Sequence, residues 1–253
     1  NSERFSVVSQ ESNPQGMSFN NDGTKMYVIG STGDDVNEYS LSTAFDVSTA
    51  SYVQNFSIVA QENRPYGMAF NNDGTKMYVI GSSGDDVNEY SLSTAFDVSS
   101  ASYVQSFYVG SQETVPTDVT FNNDGTKMYV IGNTGDDVNE YSLSTAFDVS
   151  TASYVHNFSF ASQESGPRDI TFNSDGTKMF IMGVTGDDIN EYSLSTAFDV
   201  SSASFAGNSE RFSVVSQESN PQGMSFNNDG TKMYVIGSTG DDVNEYSLST
   251  AFD

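Results

Sequence analysis

The chain of 253 residues carries 34 acidic against 9 basic residues, a formal charge of −25, with no cysteine and no tryptophan. Such a charge argues against nucleic acid and anionic membrane as partners, because both are recognised through clustered Lys and Arg. Without cysteine there are no disulfides and no thiol chemistry. No apolar stretch approaches the length of a membrane span, and the opening Asn-Ser-Glu-Arg lacks a basic-then-apolar signal pattern, so membrane insertion is not expected.

Arg4-Phe5-Ser6-Val7-Val8 is the first candidate strand. Behind it the turn Asn-Asp-Gly-Thr-Lys-Met places its aspartate at Asp22, Asp73, Asp124, Asp175 and Asp229, in steps of 51, 51, 51 and 54 residues. The longer step reflects a three-residue insertion near Gly207–Glu210, where residues 208–253 begin to repeat residues 1–46 letter for letter. Identity over that length points to recent amplification or to design, since surface loops tolerate substitution freely. The repeat leaves no composition shift at which to divide the chain, and residues 1–253 are expected to form one domain.

The second repeat shows the unit. Gly67–Phe70 is a short apolar strand, introduced by Pro65 and closed by an Asn-Asp-Gly hairpin signal in which both turn residues tolerate positive φ. Lys76–Ile80 follows, a Gly-Ser-Ser-Gly-Asp-Asp turn leads into Val87–Leu92, and a loop carrying Phe96, expected to plug an apolar gap beneath the unit, precedes Tyr103–Val109. No helical periodicity persists beyond one turn. Four antiparallel strands in each unit of about 50 residues predict a β-propeller blade, and five units predict a five-bladed ring. The chain opens on a fourth-strand sequence and ends after a third strand, so the N-terminal strand is expected to complete the last blade. Completing another molecule's blade instead would give a strand-exchanged oligomer; the monomeric ring is the favoured form.

The stretch Pro65-Tyr66-Gly67-Met68-Ala69-Phe70-Asn71-Asn72-Asp73-Gly74-Thr75-Lys76-Met77-Tyr78-Val79-Ile80-Gly81 resembles the repeat of YVTN-type propellers, and the likeness extends over all five repeats. It implies blade architecture. For function it leaves lactonases, surface-layer proteins and binding scaffolds open.

Propeller geometry sends the Gly-Asp-Asp turns and the Gln-Glu-x-x-Pro segments to one face. Asp34, Asp35, Asp85, Asp86, Asp136, Asp137, Asp187, Asp188, Asp241 and Asp242 would form an acidic crown there, with Glu11, Glu62, Glu113, Glu164 and Glu218 nearby. Clustered oxygens suit Ca²⁺, although the spacing is not that of a calcium loop, and solvated surface charge is the plainer reading. No other cofactor is expected. Glu38, Glu89, Glu140, Glu191 and Glu245 lie mid-strand and are expected to pair with the lysines between blades. His156 is the single histidine and sits in an outer strand where Gln54 and Gln105 stand in other repeats, which supports neither a catalytic triad nor zinc. The copies differ mainly at the entrance to the first strand, making Arg64, Tyr66, Asp118, Arg168 and Asp169 candidate ligand contacts at the channel mouth, with neutral drift in permissive loops the plainer reading.

These features lead to the expectation of a non-enzymatic structural or multivalent binding module, extracellular or on a cell or virion surface, whose partner is a carbohydrate or a protein surface. The alternative is a metal-dependent hydrolase of lactonase type, in which Asp118 and Asp169 are essential.

Overall fold

In the computed structural model, which describes residues 3–253, the Lys-Met-Tyr-Val-Ile runs are strands buried on both faces. That explains why they read as continuous apolar sequence rather than as an alternation. Met77 and Val79 of the second repeat pack with Tyr27, Ile29 and Val36 of the first, while Tyr78 and Ile80 turn the other way and pack with Val119, Met128 and Val130 of the third. Each core layer is therefore shared between neighbouring repeats, and each fully buried large side chain contributes roughly 1.5–3 kcal/mol.

After β1 (Glu3–Ser6), the first blade consists of β2 (Pro14–Phe19), β3 (Lys25–Gly30), β4 (Asp35–Leu41) and β5 (Ala50–Ser57). The second contains β6 (Pro65–Phe70), β7 (Lys76–Gly81), β8 (Asp86–Leu92) and β9 (Ala101–Tyr108). The third contains β10 (Pro116–Phe121), β11 (Lys127–Gly132), β12 (Asp137–Leu143) and β13 (Ala152–Ser159). In the fourth, β14 (Pro167–Phe172), β15 (Lys178–Gly183) and β16 (Asp188–Leu194) are followed by an outer edge in two pieces, β17 (Ala203–Phe205) and β18 (Arg211–Ser213). The inserted residues cause that break. The fifth blade is β19 (Pro221–Phe226), β20 (Lys232–Gly237) and β21 (Asp242–Ser247), and β1 pairs antiparallel with β21 to complete it.

The inner strands β2, β6, β10, β14 and β19 contact one another in a closed ring, so the fold is a five-bladed β-propeller. Arg4-Phe5-Ser6 aligns with Asn244, Val243 and Asp242, and the identical Arg211-Phe212-Ser213 aligns with Asn190, Ile189 and Asp188. One short sequence thus closes two blades in the same register.

Two local features differ from expectation. In the Asn-Asp-Gly turns only the glycine has positive φ (Gly23, 69°), while Asp22 accepts hydrogen bonds from the backbone N–H of Thr24 at 3.0 Å and from its hydroxyl at 2.5 Å. Glycine is needed for space as well, since a Cβ on Gly23 would lie 2.2 Å from the Phe45 ring. Each loop between third and fourth strands also contains a short 3₁₀ turn, such as Val47–Thr49, capped by Asp46. Phe96 stacks on Phe70 at 5.5 Å within the second core layer, filling the gap as expected.

Candidate functional site in the central channel

Each inner strand starts Pro-x-Gly or Pro-x-Asp, with a register irregularity that turns the third residue toward the neighbouring inner strand. Where glycine stands, the strands come close. A Cβ on Gly16 would lie 2.7 Å from the Tyr66 carbonyl oxygen, and one on Gly223 would lie 2.8 Å from the Cα of Gly16. In the third and fourth blades the same position is aspartate, and both carboxylates reach forward to the next inner strand. Asp118 Oδ2 accepts the backbone N–H of Ile170 at 3.1 Å, and Asp169 Oδ2 accepts that of Met224 at 2.9 Å. Gly67 makes room for the pair, because a Cβ there would collide with Asp118 Oδ1.

Both aspartates are 6% exposed. Burial, and then the neighbouring Asp169 charge, hold the Asp118 carboxyl well above the usual carboxylate range, with the Ile170 and Val119 N–H groups opposing the shift. Burial pushes Asp169 up to about 7, opposed by its hydrogen bond from Met224. Burial and like charge thus both oppose ionising the two carboxyls together.

These carboxylates border a channel cavity of about 160 Å³ whose walls also include Ser18, Ala69, Thr120 and Thr171. With about 10–15 Å³ required per water, this is room for a small polar molecule. A second chamber of about 240 Å³ shares Thr120, Thr171 and Ser225 and continues past Phe172 and Asn173 to the Asn-Asp-Gly turns. There the side chains of Asn21, Asn72, Asn123, Ser174 and Asn228 each donate to the backbone carbonyl of the equivalent residue in the next blade, forming a closed hydrogen-bonded ring.

The five residues expected at one mouth separate into layers. Asp118 and Asp169 are inside the channel. Arg64 and Tyr66 border a groove between the first two blades with Asn13, Gln15 and Ser31. Arg168 is half-buried and donates to Asn133 Oδ1 and to the Pro167 carbonyl, both at 3.2 Å; burial lowers its pKa, with Tyr66 and Glu164 opposing. The channel-wall hydroxyls of Thr120 and Thr171 escaped the sequence reading, because Ser18, Ala69 and Ser225 hold the equivalent positions and the variation looks neutral.

The Gly-Asp-Asp aspartates do not gather into one cluster. Asp34 and its equivalents adopt positive φ in the turn, whereas Asp35 is buried and bound by the amides of Asn37 and Asn55. Burial raises Asp35, with those two hydrogen bonds opposing. Among the described residues, the three groups of acidic or histidine side chains whose ligand atoms lie within 4.8 Å of one another include none of the ten. Glu11 and its equivalents are buried and brace the same turns, Glu11 Oε1 accepting from the backbone of Asn13 at 2.7 Å and of Thr32 at 3.1 Å.

The mid-strand glutamates do pair with lysine, Lys25 to Glu38 at 2.8 Å, but within one blade rather than between blades. The reason is the register of β3 on β4, which sets Tyr27 opposite Glu38 and leaves Lys25 on the same side of the sheet. Contact with the next blade is made by the other donors: Lys25 Nζ and the Tyr27 hydroxyl both reach the Phe96 carbonyl at 2.7 Å.

No protein-family model matches the chain, and no curated protein matches it in sequence. Solved structures do. It is 11% identical to a luciferin-regenerating enzyme, covering 99% of this chain and 97% of that one with a TM-score of 0.58. It is 12% identical to a provisionally assigned 6-phosphogluconolactonase from Bacteroides uniformis, over 89% of this chain and 64% of that one, TM-score 0.55. To the periplasmic gluconolactonase of Pseudomonas aeruginosa it is 14% identical, over 92% and 66% of the respective chains, TM-score 0.53. The chain thus spans less than two thirds of the Bacteroides protein. At these identities the similarity establishes the fold.

The expectation of a non-enzymatic structural or carbohydrate-binding module does not stand. The three propellers just described are named as enzymes, so the architecture gives no ground for preferring an inert scaffold.

Proposed function

We propose that the protein is a hydrolase that opens small polar lactones or related esters in its central channel, with Asp118 and Asp169 as acid–base pair. One observation carries the reading: two adjacent buried carboxylates, with raised pKa values, border a polar cavity at a position where the other three blades have glycine. A buried acid with a perturbed pKa beside a charged partner in a cavity is a functional-site candidate. The resemblance of Pro65–Gly81 to YVTN-type repeats agrees with this, since lactonases occur among those propellers.

Burial and mutual repulsion oppose ionising both carboxyls together, and in this reading Asp118 is the acid and Asp169 the base. Asp169 removes a proton from water as the water oxygen bonds to the acyl carbon. The C–O bond of the ring then breaks, Asp118 delivers its proton to the departing oxygen, and a hydroxy acid results. Thr120 and Thr171 supply hydroxyl donors along the wall. The same carboxylates and hydroxyls are the oxygen donors a hard cation such as Ca²⁺ accepts, and an ion held there would polarise the carbonyl.

The test is hydrolysis of a panel of aldonolactones, followed by pH-stat, for the wild type, Asp118→Asn and Asp169→Asn. Each substitution should lower the rate by about 10²–10⁴-fold. Equal rates in all three proteins would refute the assignment, and elemental analysis separates the proton-only from the cation-assisted form.

A further inference from the structure

In the first two blades a glutamine of the outer strand joins adjacent blades. Gln54 Nε2 donates to Glu38 Oε2 at 3.0 Å and to Asp97 Oδ1 at 2.8 Å, and Gln105 does the same with Glu89 and Asp148 at 3.0 and 2.8 Å. One NH₂ group serves two carboxylates. In the third blade the residue is His156, whose Nε2 lies 3.3 Å from Glu140 Oε2 and 3.6 Å from Asp199 Oδ1. That nitrogen is sealed from solvent and makes no aligned hydrogen bond. An imidazole nitrogen offers at most one proton where the amide offered two.

We propose that Glu140, His156 and Asp199 form a binding site for a zinc-type divalent transition-metal ion in the groove between the third and fourth blades. The two separations from Nε2 are close to those of a tetrahedral ligand set, in which bonds of about 2.0–2.1 Å put ligand atoms about 3.3 Å apart, and all three ligand atoms lie within 4.8 Å of one another. One imidazole and two carboxylates form a three-ligand donor set of the kind that zinc accepts. Both carboxylates are held by further hydrogen bonds, as metal ligands commonly are. Glu140 Oε2 accepts the backbone N–H of Val200 at 3.2 Å, and Lys127 occupies the other oxygen at 2.8 Å. Asp199 Oδ1 accepts from the backbone N–H of Ser201 at 3.0 Å and from its hydroxyl at 2.6 Å. The His156 and Asp199 side chains are 32% and 31% exposed, which gives an ion a path from solvent. The last two blades place Glu3 and Glu210 at the equivalent point, producing carboxylate groups with no imidazole.

Tag-free protein is titrated with zinc in excess magnesium, which occupies the general acidic surface, while the single histidine is followed by long-range ¹⁵N–¹H NMR. Zinc should coordinate Nε2 at one equivalent. His156→Gln, which restores the residue of the first two blades and should preserve the circular dichroism spectrum, should weaken zinc binding, read by isothermal titration calorimetry in the same magnesium buffer, by about ten-fold or more. Unchanged histidine signals on zinc addition, or equal affinity in His156→Gln, would overturn the site. An imidazolium that keeps both protons at saturating zinc would do the same.

Discussion

Lys232 donates to the carbonyl oxygen of Phe45 at 2.8 Å across 187 positions of sequence. The Tyr234 hydroxyl reaches the same oxygen at 2.6 Å, and Glu245 pairs with Lys232 at 2.7 Å while accepting the Val47 N–H at 3.3 Å. Lys25, Tyr27 and Glu38 make the same contacts to Phe96 and Val98, so the junction that closes the ring uses the clamp found between consecutive blades. Phe45 presents its carbonyl from a left-handed backbone, φ 57°, unusual for a bulky residue and held by the contacts on both sides of it.

The fourth junction lacks one part of this clamp, because Phe180 stands where the others have tyrosine and Phe252 O receives Lys178 Nζ at 2.8 Å. Phe180→Tyr should add a hydrogen bond worth about 1 kcal/mol and raise Tm by roughly 2–4 °C in calorimetry. A lower Tm would show that the hydroxyl does not reach the carbonyl.

The channel pair predicts a pH dependence of stability. Burial raises both folded-state values above the unfolded 3.8, so the folded protein holds protons that the unfolded chain has released. The associated stability is complete below about pH 4 and is lost as pH rises through about 7, where Asp169 titrates. Asp118→Asn and Asp169→Asn should flatten this slope in urea titrations at a series of pH values. The turn aspartates act oppositely: the Thr24 hydroxyl and N–H lower Asp22, and this contribution is lost on acidification.

Gly67→Ala should disturb the same pair from the neighbouring strand, since its Cβ would lie 2.7 Å from the Asp118 Cα, a backbone contact that cannot rotate away. Overpacking of this kind costs about 1–3 kcal/mol. Urea unfolding checks the loss. An unaltered midpoint would mean that the inner strands can part more easily than their spacing indicates.

Deletion of residues 1–6 should bare the β21 edge and remove Phe5 from its contact with Tyr39, whose ring centroid lies 5.5 Å away. Light scattering coupled to size exclusion should then show concentration-dependent association, as expected of an unpaired edge. Added Asn-Ser-Glu-Arg-Phe-Ser peptide should reverse it. By contrast, Arg4→Ala should cost at most about 1 kcal/mol, because the Arg4 side chain in its pair with Asp242 is 72% exposed.

Sequence alone determined the blades, their number and the strand that closes the ring, because the period, the turn residues and the missing fourth strand are local patterns. It also anticipated lysine–glutamate pairing, but the register that sets Ile29 opposite Val36 keeps Lys25 and Glu38 within one blade. Only the tertiary structure decided that Asp118 and Asp169 are buried together while Arg64 stays at a rim groove, and that His156 meets Glu140 and Asp199. Those relationships join different blades or depend on the ring's depth. A repeat identifies equivalent positions, but the spacing of the blades determines which equivalents touch one another, which reach water, and hence which carboxylates oppose each other's ionisation.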